Sequence, residues 1–125
     1  MDIDNFKKVN DTLGHAGGDV ALKILAEQLK SLYPEKSIPA RYGGDEFVLF
    51  IWDTEKQKVE ELLQSLVTTM NQEVVYQGAK KTISISLGAV YTTEKIPYHE
   101  LFEKADEILY EVKKNGKNMY KLMEQ

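Results

Sequence analysis

Cysteine is absent from this 125-residue sequence, which excludes a disulfide framework and a thiolate zinc site. Long apolar runs are missing too. The longest is six residues, Phe47 to Trp52, too short for a transmembrane helix or a secretory h-region. With no such segment, the expected location is the cytoplasm, and the Asn10-Asp11-Thr12 match to a glycosylation acceptor is read as chance. Positive charge is not in excess, with 16 basic against 20 acidic residues and a formal charge of −4. That argues against a nucleic-acid-binding face, although a mononucleotide site needs only a few cations. Linkers, repeats and low-complexity stretches are also lacking. What remains is an ordinary composition, 42% apolar and 29% charged, in a length that suits one domain with one core.

Apolar periodicity predicts helices over Asp19–Tyr33, Glu55–Met70 and Tyr98–Lys114, the first stopped by Pro34 and the last by Gly116. Alternation predicts strands over Ile38–Tyr42, Phe47–Trp52, Glu73–Gln77, Thr82–Tyr91 and a short one near Met119–Leu122. Gly78-Ala79-Lys80-Lys81 is the expected turn between the third and fourth of these. The order fits an α+β domain built on a ferredoxin-like, palm-type β-α-β-β-α-β sheet, provided that a strand precedes the first helix. Only Met1-Asp2-Ile3 is available for that strand. In the finished sheet it would be central, so its shortness would expose the edges of two neighbours. Phe6, Phe47 and Tyr110 are expected in the core, and His15 in a loop or cap.

Two acidic stretches carry the chemistry. In Arg41-Tyr42-Gly43-Gly44-Asp45-Glu46-Phe47, the glycine pair can supply the positive φ values of a tight hairpin, and two acids follow at once. A solvated turn and a metal or phosphate site both fit this pattern. At the start of the chain, Asp2 and Asp4 flank Ile3, so on a strand both carboxylates point to one face. In the split β-α-β-β-α-β arrangement the first strand lies beside the central hairpin, which would bring Asp2 towards Asp45 and Glu46. Carboxylates gathered there repel one another unless a cation sits between them. All-oxygen ligands favour Mg²⁺ or Mn²⁺, with nucleotide phosphates completing the shell.

These residues resemble the GGDEF family of diguanylate cyclases. The resemblance rests on Asp2-Ile3-Asp4-x-Phe6-Lys7-x-x-Asn10-Asp11, Gly14-His15-x-x-Gly18-Asp19, Arg41 to Phe47, Ser84-Ile85-Ser86-Leu87-Gly88, and Ala105-Asp106 through Gly116-Lys117-Asn118. It spans almost the whole chain in the family's order. It implies a palm-like catalytic domain that joins two GTP molecules into cyclic di-GMP and releases two pyrophosphates. Asp2 and Asp45 then match the side-chain ligands of two divalent metals, Mg²⁺ or Mn²⁺, with the Ile3 carbonyl adding a backbone oxygen. Glu46 matches a further ligand or the group that helps deprotonate the attacking 3′-hydroxyl. Gly43 and Gly44 match the close backbone approach to phosphate, Asn10 and Asp19 the guanine readers, and Lys7, Lys113 and Lys117 the phosphate clamps. For Lys113 and Lys117 a simpler role, complementing a helix dipole, also stands.

The sequence departs from the family in three places. The family's additional helix, the rest of its first strand and its Asp-x-Leu-Thr-x-Leu-x-Asn-Arg stretch do not precede Asp2. Pro34 and Ser37 stand where the Arg-x-x-Asp product-inhibition motif has its charged ends, so feedback at that site is not expected. Lys117 replaces a frequent arginine, keeping the charge but losing the bidentate fork. The resemblance further implies a homodimer, since each domain holds one GTP, and an upstream sensory segment to organise it. A GGDEF domain that binds GTP or a protein partner without turnover, and another palm-type nucleotide cyclase, are the competing readings.

Overall fold

The structure, a computed structural model, describes residues 1–125. Ten elements follow in chain order: β1 (Asp2–Ile3), α1 (Phe6–Leu32), β2 (Ser37–Gly43), β3 (Glu46–Ile51), α2 (Lys56–Met70), β4 (Gln72–Tyr76), β5 (Ala79–Ile83), β6 (Ile85–Tyr91), α3 (Tyr98–Lys114) and β7 (Tyr120–Glu124). Five strands form one sheet in the order β2-β3-β1-β6-β7, with β7 parallel to β6 and the other neighbours antiparallel. This is the expected α+β arrangement of ferredoxin-like type, extended by α3 and β7. The two-residue β1 lies at its centre.

The first helix begins at Phe6, thirteen residues before the predicted start at Asp19. Phe6, Val9 and Leu13 already carry helical spacing, and Val9 and Leu13 are buried. Gly14, at φ 77° and ψ 167°, interrupts the helix before it resumes, a break that only glycine makes without strain. Glycine in a helix costs about 1 kcal/mol, whereas burying a Val or Leu side chain gains about 1.5–3 kcal/mol. Ala21, Leu22, Leu25 and Leu29 continue the buried stripe, so packing outweighs the glycines at 14, 17 and 18.

Alternation along β6 divides the core. Ile85 and Leu87 join the main cluster with α1, α2 and Phe47. Gly88 faces the other way, so close beneath α3 that a Cβ would strike the Ala105 carbonyl and the Leu109 nitrogen. Ile108, Leu109 and Val112 of α3 are buried on that second face.

Three further expectations are corrected. The strand predicted over Thr82–Tyr91 is two strands: β5 pairs with β4 in a separate hairpin turning at Gln77-Gly78, and β6 enters the main sheet. The break falls at Ser84, whose carbonyl accepts the Asp4 N–H at 2.9 Å and whose hydroxyl donates to Asp4. The last strand runs Tyr120–Glu124, slightly beyond the predicted range. Tyr110 is not core but 64% exposed, with Lys114 Nζ 5.4 Å from its ring centroid.

Candidate functional site

The site forms where the chain's first residues enter the sheet. Asp2 stands opposite Glu46 on β3 and opposite Ser86 on β6. Met1 extends the pairing by one step: its amino group donates to the Phe47 carbonyl at 3.0 Å, and its carbonyl accepts the Phe47 N–H at 2.8 Å. Asp2 and Asp4 point the same way along the strand, as alternation requires, and Lys113 reaches Asp2 from the end of α3.

The two aspartates have different surroundings. Asp4 is saturated: it accepts from Ser84 Oγ at 2.6 Å, Ser86 Oγ at 2.5 Å and the Asn118 backbone N–H at 3.0 Å. It fastens β1 to β6 and to the segment after α3. Asp2 accepts only from Lys113 Nζ, 2.5 Å from Oδ2, while its buried Oδ1 has no partner. Burial is the largest influence on Asp2 and raises its pKa above the ordinary 3.8, with Asp45 adding in the same direction and Lys113 opposing. Burial alone would lower the Lys113 ammonium. The hydrogen bond and charge of Asp2, joined by Asp45 and Glu46, outweigh that and hold it above its usual range. One lysine therefore does not fully compensate the buried carboxylate. An oxygen donor with a free lone pair, short of positive charge, fits a hard divalent cation. No three acidic or imidazole side chains converge closely enough to hold a metal by themselves.

The hairpin between β2 and β3 turns one residue later than the sequence suggests. Gly43 pairs with Glu46, so Gly44 and Asp45 form the tip, with a bulge between Arg41 and Gly43. Gly44 has φ 53°. The Arg41 guanidinium holds the turn by donating to the Gly44 carbonyl from Nε at 2.9 Å and from Nη2 at 2.5 Å. A Cβ at either Gly43 or Gly44 would meet nothing within 4 Å, so both backbones are open to an approaching group.

A second concavity adjoins the hairpin. Asp19, Leu22, Lys23, Ala26 and Lys30 of α1 face Pro39, Ala40, Arg41 and Phe47 across a cleft of about 470 Å³. Asn10 lies beside it through Gly18, where any Cβ would collide with the Asn10 Oδ1. The break at Gly14 thus brings Asn10 up against the residue before Asp19. Lys7 is exposed on the first turn of α1, and Lys117 donates to Asn5 Oδ1 at 2.8 Å. Ser37, at one end of the replaced Arg-x-x-Asp pattern, is buried and donates to the Tyr33 carbonyl at 2.6 Å.

The structure therefore joins Asp2 and Lys113 directly, sets Glu46 in register with Asp2, and places Asp45 at the adjoining hairpin tip. Asn10, Asp19 and the cleft form a neighbouring group. Sequence reasoning gave no role to Asn5, Arg41, Ser84, Ser86 or Asn118. The Ser-x-Ser spacing of Ser84 and Ser86 placed two hydroxyls on one strand face, but their partner lies 80 and 82 residues away. No helix is long and apolar enough to cross a membrane.

Comparison with known proteins shows the family and the fold. Residues 1–119 match the family model described as "Diguanylate cyclase, GGDEF domain". Diguanylate cyclase A of Treponema denticola is 35% identical over 120 residues, covering 94% of this chain but only 32% of that protein. Among solved structures, the active GGEEF domain of a diguanylate cyclase from Vibrio cholerae superposes with a TM-score of 0.86. It is 27% identical and covers 99% of this chain and 80% of that one. The GGDEF domain of DgcB from Caulobacter crescentus, solved with c-di-GMP, gives a TM-score of 0.85 at 28% identity, covering 97% and 73%.

Proposed function

The chain belongs to the GGDEF family of diguanylate cyclase domains, and from that premise we propose that it condenses two GTP molecules into cyclic di-GMP. The observation that carries this reading is Asp2: a buried carboxylate with an unpartnered oxygen, in register with Glu46 beside an open glycine hairpin. Asp2, Asp45, Glu46 and the Ile3 carbonyl would hold two Mg²⁺ or Mn²⁺ ions together with the triphosphate. Such ions, when bound, lower the pKa of a hydroxyl and offset charge on phosphate oxygens.

The chain's own residues do the rest. Asp19 accepts from guanine N1–H and the exocyclic amine, donors that adenine does not offer as a pair, while Asn10 reads the same edge. Lys7, Lys113 and Lys117 offset triphosphate charge, and Gly43 and Gly44 let backbone approach it. Lys113 exchanges its hold on Asp2 for phosphate when the nucleotide enters. Glu46 takes the proton from the 3′-hydroxyl. The 3′-oxygen bonds to the α-phosphorus of the other GTP, and the bond to the departing pyrophosphate breaks. Two copies must face each other, one GTP in each, and a segment outside these residues would organise that homodimer. GTP supply places the reaction in the cytoplasm.

Two observations favour a second reading, a domain that binds GTP without turnover. Lys113 already occupies Asp2, and no three acids converge. Incubating the purified chain with GTP and Mg²⁺, followed by chromatography of the products, separates the two. Cyclic di-GMP should form, with specific activity rising with protein concentration, and Asp45→Ala should lower it at least a thousandfold. GTP binding by a folded chain with no product at any concentration would leave the binding reading in place.

A further inference from the structure

Asn5 opens α1 without doing what an asparagine at that position ordinarily does. An N-cap residue has extended backbone, and its side chain accepts an N–H from the first helical turn. Asn5 instead has φ 51° and ψ 44°, and its side chain makes no capping bond. Its Oδ1 accepts from Lys117 Nζ at 2.8 Å, across 112 residues of sequence.

The backbone is left-handed on both sides of that contact. Five non-glycine residues of the chain have positive φ, and three of them, Asn5, Lys117 and Asn118, meet here. Asparagine adopts this conformation readily, whereas lysine does so at a cost. Lys117 is kept in it, at φ 62°, by two bonds. Its own N–H donates to the Val112 carbonyl at 3.1 Å, and the Asn118 N–H donates to Asp4 at 3.0 Å. Non-glycine residues held in this way concentrate at functional sites, where the surroundings fix an otherwise unfavourable shape.

The short run Asp2–Asn5 thus ties down two cations, with different chemistry at each. Asp2 meets Lys113 with a carboxylate, which offsets the ammonium charge. Asn5 meets Lys117 with a neutral amide oxygen, which occupies one of the three ammonium donors and leaves the charge and two N–H groups available. An acid at residue 5 would hold the lysine more tightly but cancel its charge. A neutral acceptor suits a cation that must stay in place and still meet an anion.

We propose that Asn5 is a positioning residue that holds Lys117 ready for the triphosphate, a role that rests on the reading of Lys117 as a phosphate contact. Its side chain leaves the helix uncapped and orders the ammonium in advance, so that less side-chain freedom is lost when the nucleotide binds.

The test is calorimetric titration of the full chain with α,β-methylene-GTP and Mg²⁺, a nucleotide whose α–β bridge does not break, so that binding is read without turnover. Lys117→Met should weaken binding about tenfold or more. Asn5→Gly keeps the left-handed backbone free of strain and removes only the side chain. It should weaken binding about fivefold in the wild-type chain. In the Lys117→Met background the same change should alter affinity by less than about twofold, because its effect runs through the missing ammonium. Asn5→Asp should separate two readouts that a purely structural role moves together: affinity falls about fivefold or more, while the unfolding midpoint stays level or rises. Unchanged affinity in Asn5→Gly, beside a weakened Lys117→Met, would overturn the role of Asn5 and leave the phosphate contact of Lys117 standing. An equal loss from Asn5→Gly in both backgrounds would do the same. Unchanged affinity in Lys117→Met, or a folded wild-type chain that does not bind the nucleotide, would overturn both.

Discussion

Replacing Asp4 with alanine tests the clamp on which the site is hung. Asp4 is 8% exposed and accepts three hydrogen bonds, from Ser84, Ser86 and the Asn118 N–H. Bonds to a charged acceptor each contribute about 1.5–3 kcal/mol, but removing the carboxylate also removes its own desolvation cost, so the three do not add in full. The groups left behind differ. Asn118 is exposed and its N–H finds water, whereas the Ser86 residue is wholly buried and its hydroxyl is stranded, at about 1–3 kcal/mol. The remaining groups are neutral, so the loss falls at the low end of that for breaking a buried charged network, about 3 kcal/mol. Urea unfolding followed by circular dichroism should show the midpoint lowered by at least about 1 M with an unchanged slope. Asp4→Asn keeps one acceptor and should lose about half as much. Asp11→Ala, at an exposed position, should stay within about 0.5 kcal/mol. A loss below about 1 kcal/mol for Asp4→Ala would refute the clamp.

Gly44→Ala meets no atom within 4 Å, yet the residue sits at φ 53°, so it should destabilise the chain by about 1–2 kcal/mol by calorimetry through backbone strain alone. Asp2 has the opposite pH behaviour from a salt-bridged surface acid. Its folded pKa lies above the unfolded 3.8, so the folded state binds the proton more tightly, and its contribution to stability falls as pH rises from 3.8 through the raised value. That limb should be missing from the stability–pH curve of Asp2→Asn, and an unchanged curve would contradict the burial argument.

Much of this architecture was legible because it is periodic. The third helix was predicted with its observed bounds, and the second to within one residue. The central place of the first strand followed from element order. The first half of α1 was hidden because Lys7, Lys8, Asn10 and Asp11 surround the apolar positions, and Gly14, Gly17 and Gly18 then mimic a loop. The split at Ser84 was invisible because its cause, Asp4, is remote in the chain. The same limit applies at the site. Residue types and hairpin chemistry were readable, whereas the hold of Lys113 on Asp2 and the saturation of Asp4 are products of tertiary packing. The turn at Gly44-Asp45, one residue past the expected pair, depends on a bulge that the Arg41 side chain secures.

The bonds that hold β1 also set an order of events during synthesis. Asp2 meets Lys113 across 111 residues and Asp4 meets Asn118 across 114. A ribosome adding about 5–20 residues per second needs on the order of 10 s to pass from one end of such a contact to the other. The helices and hairpins made in between are local and can form as they emerge. Asp2 and Asp4, made long before their partners, are therefore fastened only once α3 and the segment after it have been made, and no nascent chain that stops short of α3 carries an assembled site.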